Sequence, residues 1–169
     1  MSRFITVSVA VIALIAGWLV YSNLPQAKPE ALIYEPPRAL KPFTLTSTND
    51  GEVSNNALKG QWTLLFTGYT FCPDICPLDA ARNAAALNIL AEEGIDAQAL
   101  FITVDPERDT PEVLREFTDV MHPEMIGLTG SPAQVDAAAK AYKTYYAKQT
   151  PEEGMEDFYL VDHSTFSYL

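Results

Sequence analysis

The sequence predicts an α/β domain with helices on both faces of a mixed sheet. Three observations carry that prediction. Short apolar runs rich in β-formers alternate with segments of helical spacing. Each predicted helix has its own start or stop signal. Two cysteines, Cys72 and Cys76, fall just past the end of the first apolar strand, and in such folds the reactive groups sit at the carboxyl ends of strands.

The elements follow in order. The chain has 169 residues, which makes one domain the starting expectation. Residues 4–21 carry no charge, and a helix crossing a bilayer needs about 20 apolar residues, with a lower limit near 17. Arg3 precedes this run and the next cation is Lys28. That asymmetry predicts an N-terminal membrane anchor over residues 1–21 with its N-terminus inside and the remainder exported. The alternative is a signal peptide, whose apolar core is shorter, with Gln26-Ala27 as a weak cleavage site. Either way the domain meets a compartment that tolerates disulfides. Residues 22–40 hold Pro25, Pro29, Pro36 and Pro37 and read as an extended linker. The domain then occupies 41–169.

Phe43 to Thr46 followed by Asn49-Asp50-Gly51 predicts a β-hairpin. Trp62 to Thr67 is the first buried strand, and Pro77 to Leu90 is a helix stopped by Gly94. Ala97 to Val104 is the second core strand. Thr110-Pro111 caps a helix that runs to Met121, and Met125 to Leu128 is a short strand. Ser131-Pro132-Ala133-Gln134 is a capping box that opens a long helix through Ala147. Tyr142, Tyr145 and Tyr146 take core-like spacing on it. An acidic loop leads to a strand over Tyr159 to Leu169.

The net charge is −11. Acids and bases balance up to residue 91, so the excess acid lies in the second half. Such a surface repels nucleic acid and anionic headgroups, which excludes nucleic acid as a partner class.

Cys72 and Cys76 are the only cysteines. As a helical turn they share one face with Cβ atoms about 5–6 Å apart. A helix N-terminus favours the thiolate, which is both nucleophile and metal ligand. A structural staple closes so small a loop that it stabilises little. That leaves a thiol–disulfide exchanger, one residue wider than the usual Cys-x-x-Cys, or a metal site. Soft thiolates suit copper, and a structural zinc asks for four ligands. Of the two histidines, His122 follows a predicted helix end and reads as ordinary surface. His163, taken alone, reads as a structural strand residue, and spacing does not bring it to Cys72. Met121 and Met125 read as packing residues.

Four blocks resemble the Sco/SenC family of copper-binding proteins: Gly68-Tyr69-Thr70-Phe71-Cys72-Pro73-Asp74-Ile75-Cys76-Pro77, then 104–111 (Val-Asp-Pro-Glu-Arg-Asp-Thr-Pro), 126–130 and Val161-Asp162-His163-Ser164. They occur in the family's order and the resemblance covers about residues 43–169. It implies a thioredoxin-like fold and a copper site, Cu(I) or Cu(II), made by Cys72, Cys76 and His163. It implies a chaperone rather than a turnover enzyme, acting on the binuclear copper centre of cytochrome c oxidase subunit II and meeting other copper or thiol-redox assembly proteins. The Cys72–Cys76 pair doubles as a redox disulfide in this picture. Asp74, between the cysteines, either tunes the site or is a solvated turn carboxylate. The implied location is membrane-anchored, on the periplasmic or intermembrane-space side. Family members continue beyond Leu169 with a strand and a helix, so the resemblance implies that these elements are missing here. The alternative function is an exported, membrane-anchored thiol–disulfide oxidoreductase.

Overall fold

In the computed structural model, residues 2–23, 41–49, 51–151, 153–155 and 158–169 are described. They fall in two units, Met1–Arg38 and Ala39–Leu169. The first holds α1 (Ser2–Asn23), whose last-turn carbonyl at Leu19 accepts hydrogen bonds from the side chains of Ser22 and Asn23. The helix covers the expected anchor, but several of its side chains lie outside the described set. Among the described residues no helix is long and apolar enough to cross a membrane. Ser22 and Asn23, the first two residues of the expected linker, are helical. Its remainder, 24–40, lies outside the described residues.

The second unit is built on a six-stranded sheet. Its strands are β1 (Thr44–Ser47), β2 (Glu52–Ser54), β3 (Trp62–Gly68), β4 (Ala97–Thr103), β5 (Met125–Thr129) and β8 (Ser167–Tyr168), in the order β2-β1-β5-β4-β3-β8. β3, β4 and β5 run parallel to one another. β2, β1 and β8 are joined by antiparallel pairings, so the sheet is mixed, as expected. A separate two-stranded ribbon joins β6 (Tyr146–Lys148) to β7 (Val161–His163).

Successive side chains of a strand point to opposite faces, and the two faces have different cores. Leu65, Leu100, Ile102 and Leu128 pack with Val135, Ala138 and Tyr142 of the α4 region (Pro132–Ala141, capped by Tyr142). Phe66, Ala99 and Phe101 pack on the other face with Ala80, Ala84 and Leu87 of α2 (Ile75–Glu92) and Leu114 of α3 (Pro111–Met121). Helices therefore cover both faces. The local start signals act as read: the Thr110 hydroxyl accepts from Val113 N–H, and Ser131 and Gln134 form the reciprocal capping box.

Two expectations need correction. The helix from Pro132 ends at Ala141, not Ala147. Lys143 takes a left-handed φ of 54°, and Tyr146, Ala147 and Lys148 pair with β7 instead. Tyr142 is buried and Tyr146 half-buried, but Tyr145 is 64% exposed and not a core residue. The terminal strand is likewise two short strands in different sheets. Ser164 breaks it: its N–H donates to Tyr145 O at 3.0 Å, and its hydroxyl accepts from Tyr145 N–H at 3.1 Å.

The ends of β3, β4 and β5 are tied together by Asp109, which is wholly buried. Its carboxylate accepts from Thr70 N–H at 3.0 Å, Thr70 Oγ1 at 2.6 Å and Thr103 Oγ1 at 2.6 Å. Its carbonyl accepts from Thr129 Oγ1 at 2.9 Å. Burial pushes the carboxyl above its ordinary range, and the hydrogen bonds from Thr103 and Thr70 partly offset this. Asp109→Ala leaves these buried donors without the acceptor. It is expected to cost about 3 kcal/mol, read as a lowered midpoint in denaturant unfolding of the full chain.

Candidate metal centre

Gly68 ends β3, and the chain turns through Tyr69 to Asp74 before α2 begins. A Cβ on Gly68 would lie 2.7 Å from Phe101 Cε2 and 3.0 Å from Cys76 Sγ. Glycine is what lets the Cys76 sulfur approach the strand end. Cys72 precedes α2 and Cys76 is its second residue, so the two are not on one helical turn as the spacing suggested. Pro77 sits in the first turn of α2, where its missing N–H costs nothing. Both cysteines are free thiols.

β7 supplies the third group. Its pairing with β6 places His163 opposite Tyr146, and His163 Nε2 lies 3.2 Å from Cys76 Sγ. One ligand atom each from Cys72, Cys76 and His163 lie within 4.8 Å of one another, so these three residues could hold a metal ion. The imidazole is oriented by its other nitrogen: Nδ1 is 2.9 Å from Ser164 O. A carbonyl accepts only, so in the neutral ring Nδ1 carries the proton and the Nε2 lone pair faces Cys76 Sγ. Ser164 O also accepts from Thr67 Oγ1 at 3.3 Å.

The two thiols differ. Burial pushes the Cys72 thiol up, but the backbone N–H groups of Asp74, Cys76 and Ile75 and the Cys76 thiol pull it down, and the net direction is down. These donors are the free N–H groups of a helix start. Burial pushes the Cys76 thiol far up, and the single N–H of Tyr69 does not compensate. Cys72 is half-buried, whereas Cys76 is 2% exposed.

Around the site, the Tyr69 hydroxyl accepts from Val161 N–H at 3.2 Å. Tyr159 Oη donates to Asp105 at 2.7 Å, and the Arg108 guanidinium lies 3.6 Å from the Tyr159 ring centroid and 4.9 Å from that of Phe71. Sequence reasoning singled out none of Thr67, Tyr69, Ser164, Arg108 or Tyr159 for the site. Tyr69, Arg108 and Ser164 fall inside the blocks of family resemblance, which was the available signal for them; Thr67 lies outside those blocks, two residues before Tyr69. Asp74 is exposed at the N-cap of α2 and makes no side-chain cap bond; its contact with the site is its N–H. His122 caps the end of α3, and its Nδ1 accepts from Glu124 N–H, away from the three-residue cluster. Met125 is buried and Met121 packs against the core, as read.

The SCO1/SenC family model matches residues 33–169. The chain belongs to the SCO1/SenC family. Protein SenC of Rhodobacter capsulatus is 52% identical over 128 residues, covering 76% of this chain and 57% of that protein. Protein SCO1 homolog 1, mitochondrial, of Arabidopsis thaliana is 45% identical over 76% of this chain and 38% of its own length. The chain thus spans about four- to six-tenths of these relatives. Among solved structures, Arabidopsis thaliana ScoI with copper bound superposes with a TM-score of 0.70 at 42% identity, over 76% of this chain and 79% of that one. Yeast Sco1 with copper bound gives 0.71 at 39% identity, over 78% and 73%. BsSco, described with a disulfide switch and as a member of the Sco family of cytochrome c oxidase assembly proteins, gives 0.58 at 27% identity, over 82% and 87%. The thioredoxin-like α/β Sco fold is therefore that of this chain.

The asymmetry of the thiols has a direct readout. With the metal-free chain at pH 7, iodoacetamide is expected to modify Cys72 well before Cys76, because only the thiolate reacts and Cys72 is also the more open. Peptide mass spectrometry against time measures the order; equal rates at the two cysteines contradict the asymmetry.

Proposed function

We propose that this Sco-family chain binds copper through Cys72, Cys76 and His163. It then hands the metal to the binuclear copper site of cytochrome c oxidase subunit II, or prepares that site's thiols. The observation that carries the reading is the convergence of two sulfurs and one imidazole from distant parts of the chain within 4.8 Å. Two thiolates and an imidazole match the preferences of copper. The described residues that converge number three, one short of the usual structural zinc set. Solved relatives carry copper, and BsSco is named for cytochrome c oxidase assembly.

Copper is cargo here. Three ligands leave a position open to an incoming thiolate of the target, which displaces first one cysteine and then the other. Cys72 is the half-buried member, so exchange starts there. Both thiols must be reduced before loading, which makes the redox state of the pair a gate on metal binding. The apolar run 4–21 behind Arg3 supports a tether to the membrane, with the proline-containing stretch 24–40 as spacer and the domain on the periplasmic or intermembrane-space side.

A second reading rests on the same thiols, and the unequal cysteines favour it specifically. The Cys72 thiolate attacks a disulfide sulfur of the target and expels one target thiolate. Cys76, deprotonated, then attacks Cys72 of the mixed disulfide. The products are a Cys72–Cys76 disulfide and a reduced target dithiol, with two electrons moved.

X-ray absorption of the copper-loaded full chain in mild detergent is expected to show two sulfurs and one nitrogen. His163→Ala is expected to lose copper on gel filtration yet keep thiol–disulfide exchange. Copper retained without His163 refutes the three-ligand site, and reversible oxidation with no copper bound selects the second reading.

A pH titration gives an independent check. Burial raises the Cys76 thiol, and that proton must leave for sulfur to ligate. Apparent copper affinity therefore rises with pH through the neutral range, by up to about tenfold per pH unit. A flat profile in chelator competition contradicts it.

A further inference from the structure

β7 is three residues long and lies in a two-stranded ribbon outside the main sheet. An isolated ribbon of that size is marginal by itself, yet it carries one of the three groups of the site. Two hydroxyls from the exit of β3 fasten it. Tyr69 Oη accepts from Val161 N–H at 3.2 Å, two residues before His163. Thr67 Oγ1 donates to Ser164 O at 3.3 Å, one residue after it. Thr67 and Tyr69 are 4% and 2% exposed, so water does not compete for either bond.

We propose that the hydroxyls of Thr67 and Tyr69 are positioning groups for the metal centre, a two-point clamp that holds the His163 segment against the cysteine loop. The proposal rests on the reading of Cys72, Cys76 and His163 as a metal site. Thr67 is the penultimate residue of β3 and Tyr69 lies one residue past its end, so one strand exit reaches both sides of the histidine. A hydroxyl has one proton and two lone pairs. At Tyr69 one lone pair takes Val161 N–H. At Thr67 the proton goes to the carbonyl that also receives His163 Nδ1–H, so it steadies the acceptor that sets the imidazole tautomer. The Tyr69 ring adds an edge-on contact to the imidazole, 5.9 Å between centroids, which phenylalanine retains.

Tyr69→Phe and Thr67→Val delete the hydroxyls and keep the packing. Each is expected to weaken Cu(I) retention about 10–100-fold in chelator competition on the full chain. Each is also expected to reduce the nitrogen shell in X-ray absorption. Thr67→Ser keeps the hydroxyl and is expected to stay near wild type. In the metal-free chain, amide exchange at 161–164 is expected to accelerate in Tyr69→Phe and Thr67→Val. Wild-type affinity and an unchanged nitrogen shell in both variants overturn the clamp. Thr67→Ser weakening as far as Thr67→Val removes Thr67 from it. If the wild-type chain takes up no copper, the functional reading falls, and the metal-free exchange rates decide the clamp alone: unchanged rates overturn it, faster ones sustain it.

Discussion

Asp109 accepts hydrogen bonds at its carboxylate from three donors, Thr70 N–H, Thr70 Oγ1 and Thr103 Oγ1, with no exposed surface of its own. Its carbonyl receives a further bond from Thr129. Those three threonines stand where β3, β4 and β5 leave the sheet. A buried carboxyl is costly unless its lone pairs are met, so the group is stable only when all three strand ends are in register. The consequence for the site is direct. Thr70 lies two residues before Cys72, and the loop that presents the first thiol cannot drift while its N–H and hydroxyl are held by Asp109. Asp109 also lies immediately before Thr110, the cap of α3, so one side chain couples the sheet, a helix start and the cysteine loop.

A second tier of polar contacts works from the other side. Asp105 accepts from Tyr159 and pairs with Arg108, whose guanidinium lies over the rings of Tyr159 and Phe71. Phe71 is the residue before Cys72, and Tyr159 precedes β7. The cysteine loop and the histidine strand are therefore each tied to the 105–109 segment, which lies between them in sequence. This explains why residues far apart in the chain reach one small volume without a long helix or a disulfide to hold them.

What the sequence made legible was local. Thr110-Pro111 and Ser131-Pro132 mark helix starts because a cap is a bond between near neighbours, and alternating runs such as Leu65-Phe66 report two buried faces. The cysteines stood out because thiols at a strand end imply chemistry. The errors share a cause. Tyr142, Tyr145 and Tyr146 satisfy helical spacing, but Tyr146 gains more by pairing with His163 than by extending α4, and no local pattern shows a partner strand so distant. Ser164 breaks the last strand through bonds to Tyr145 and Thr67, both tertiary. His163 joined the site only through family resemblance, since its placement depends on register between β6 and β7. Thr67 was silent because a hydroxyl in a strand looks the same whether it meets water or holds a histidine, and Tyr69 was quoted within a block without its hydroxyl's role being readable from it.

The inequality of the two cysteines follows from the same geometry and bears on direction. Cys72 precedes the helix, where several free N–H groups converge on its sulfur, and it is partly open. Cys76 is one step inside the helix, close to Gly68 and in the buried cluster of Tyr69, Val104, Tyr159 and Val161, and burial keeps its proton on. A thiolate that is already charged and reachable is the better first point of attack and the better leaving group. A buried thiol that must be deprotonated to act is slower to engage and slower to release. In the proposed transfer this sets an order: ligand exchange begins at Cys72, while Cys76 and His163, 3.2 Å apart in the deeper part of the site, hold on last. In the proposed reduction it sets the same order, with Cys72 attacking and Cys76 resolving. Both chemistries thus draw on one structural asymmetry, the position of a helix start between two otherwise identical residues.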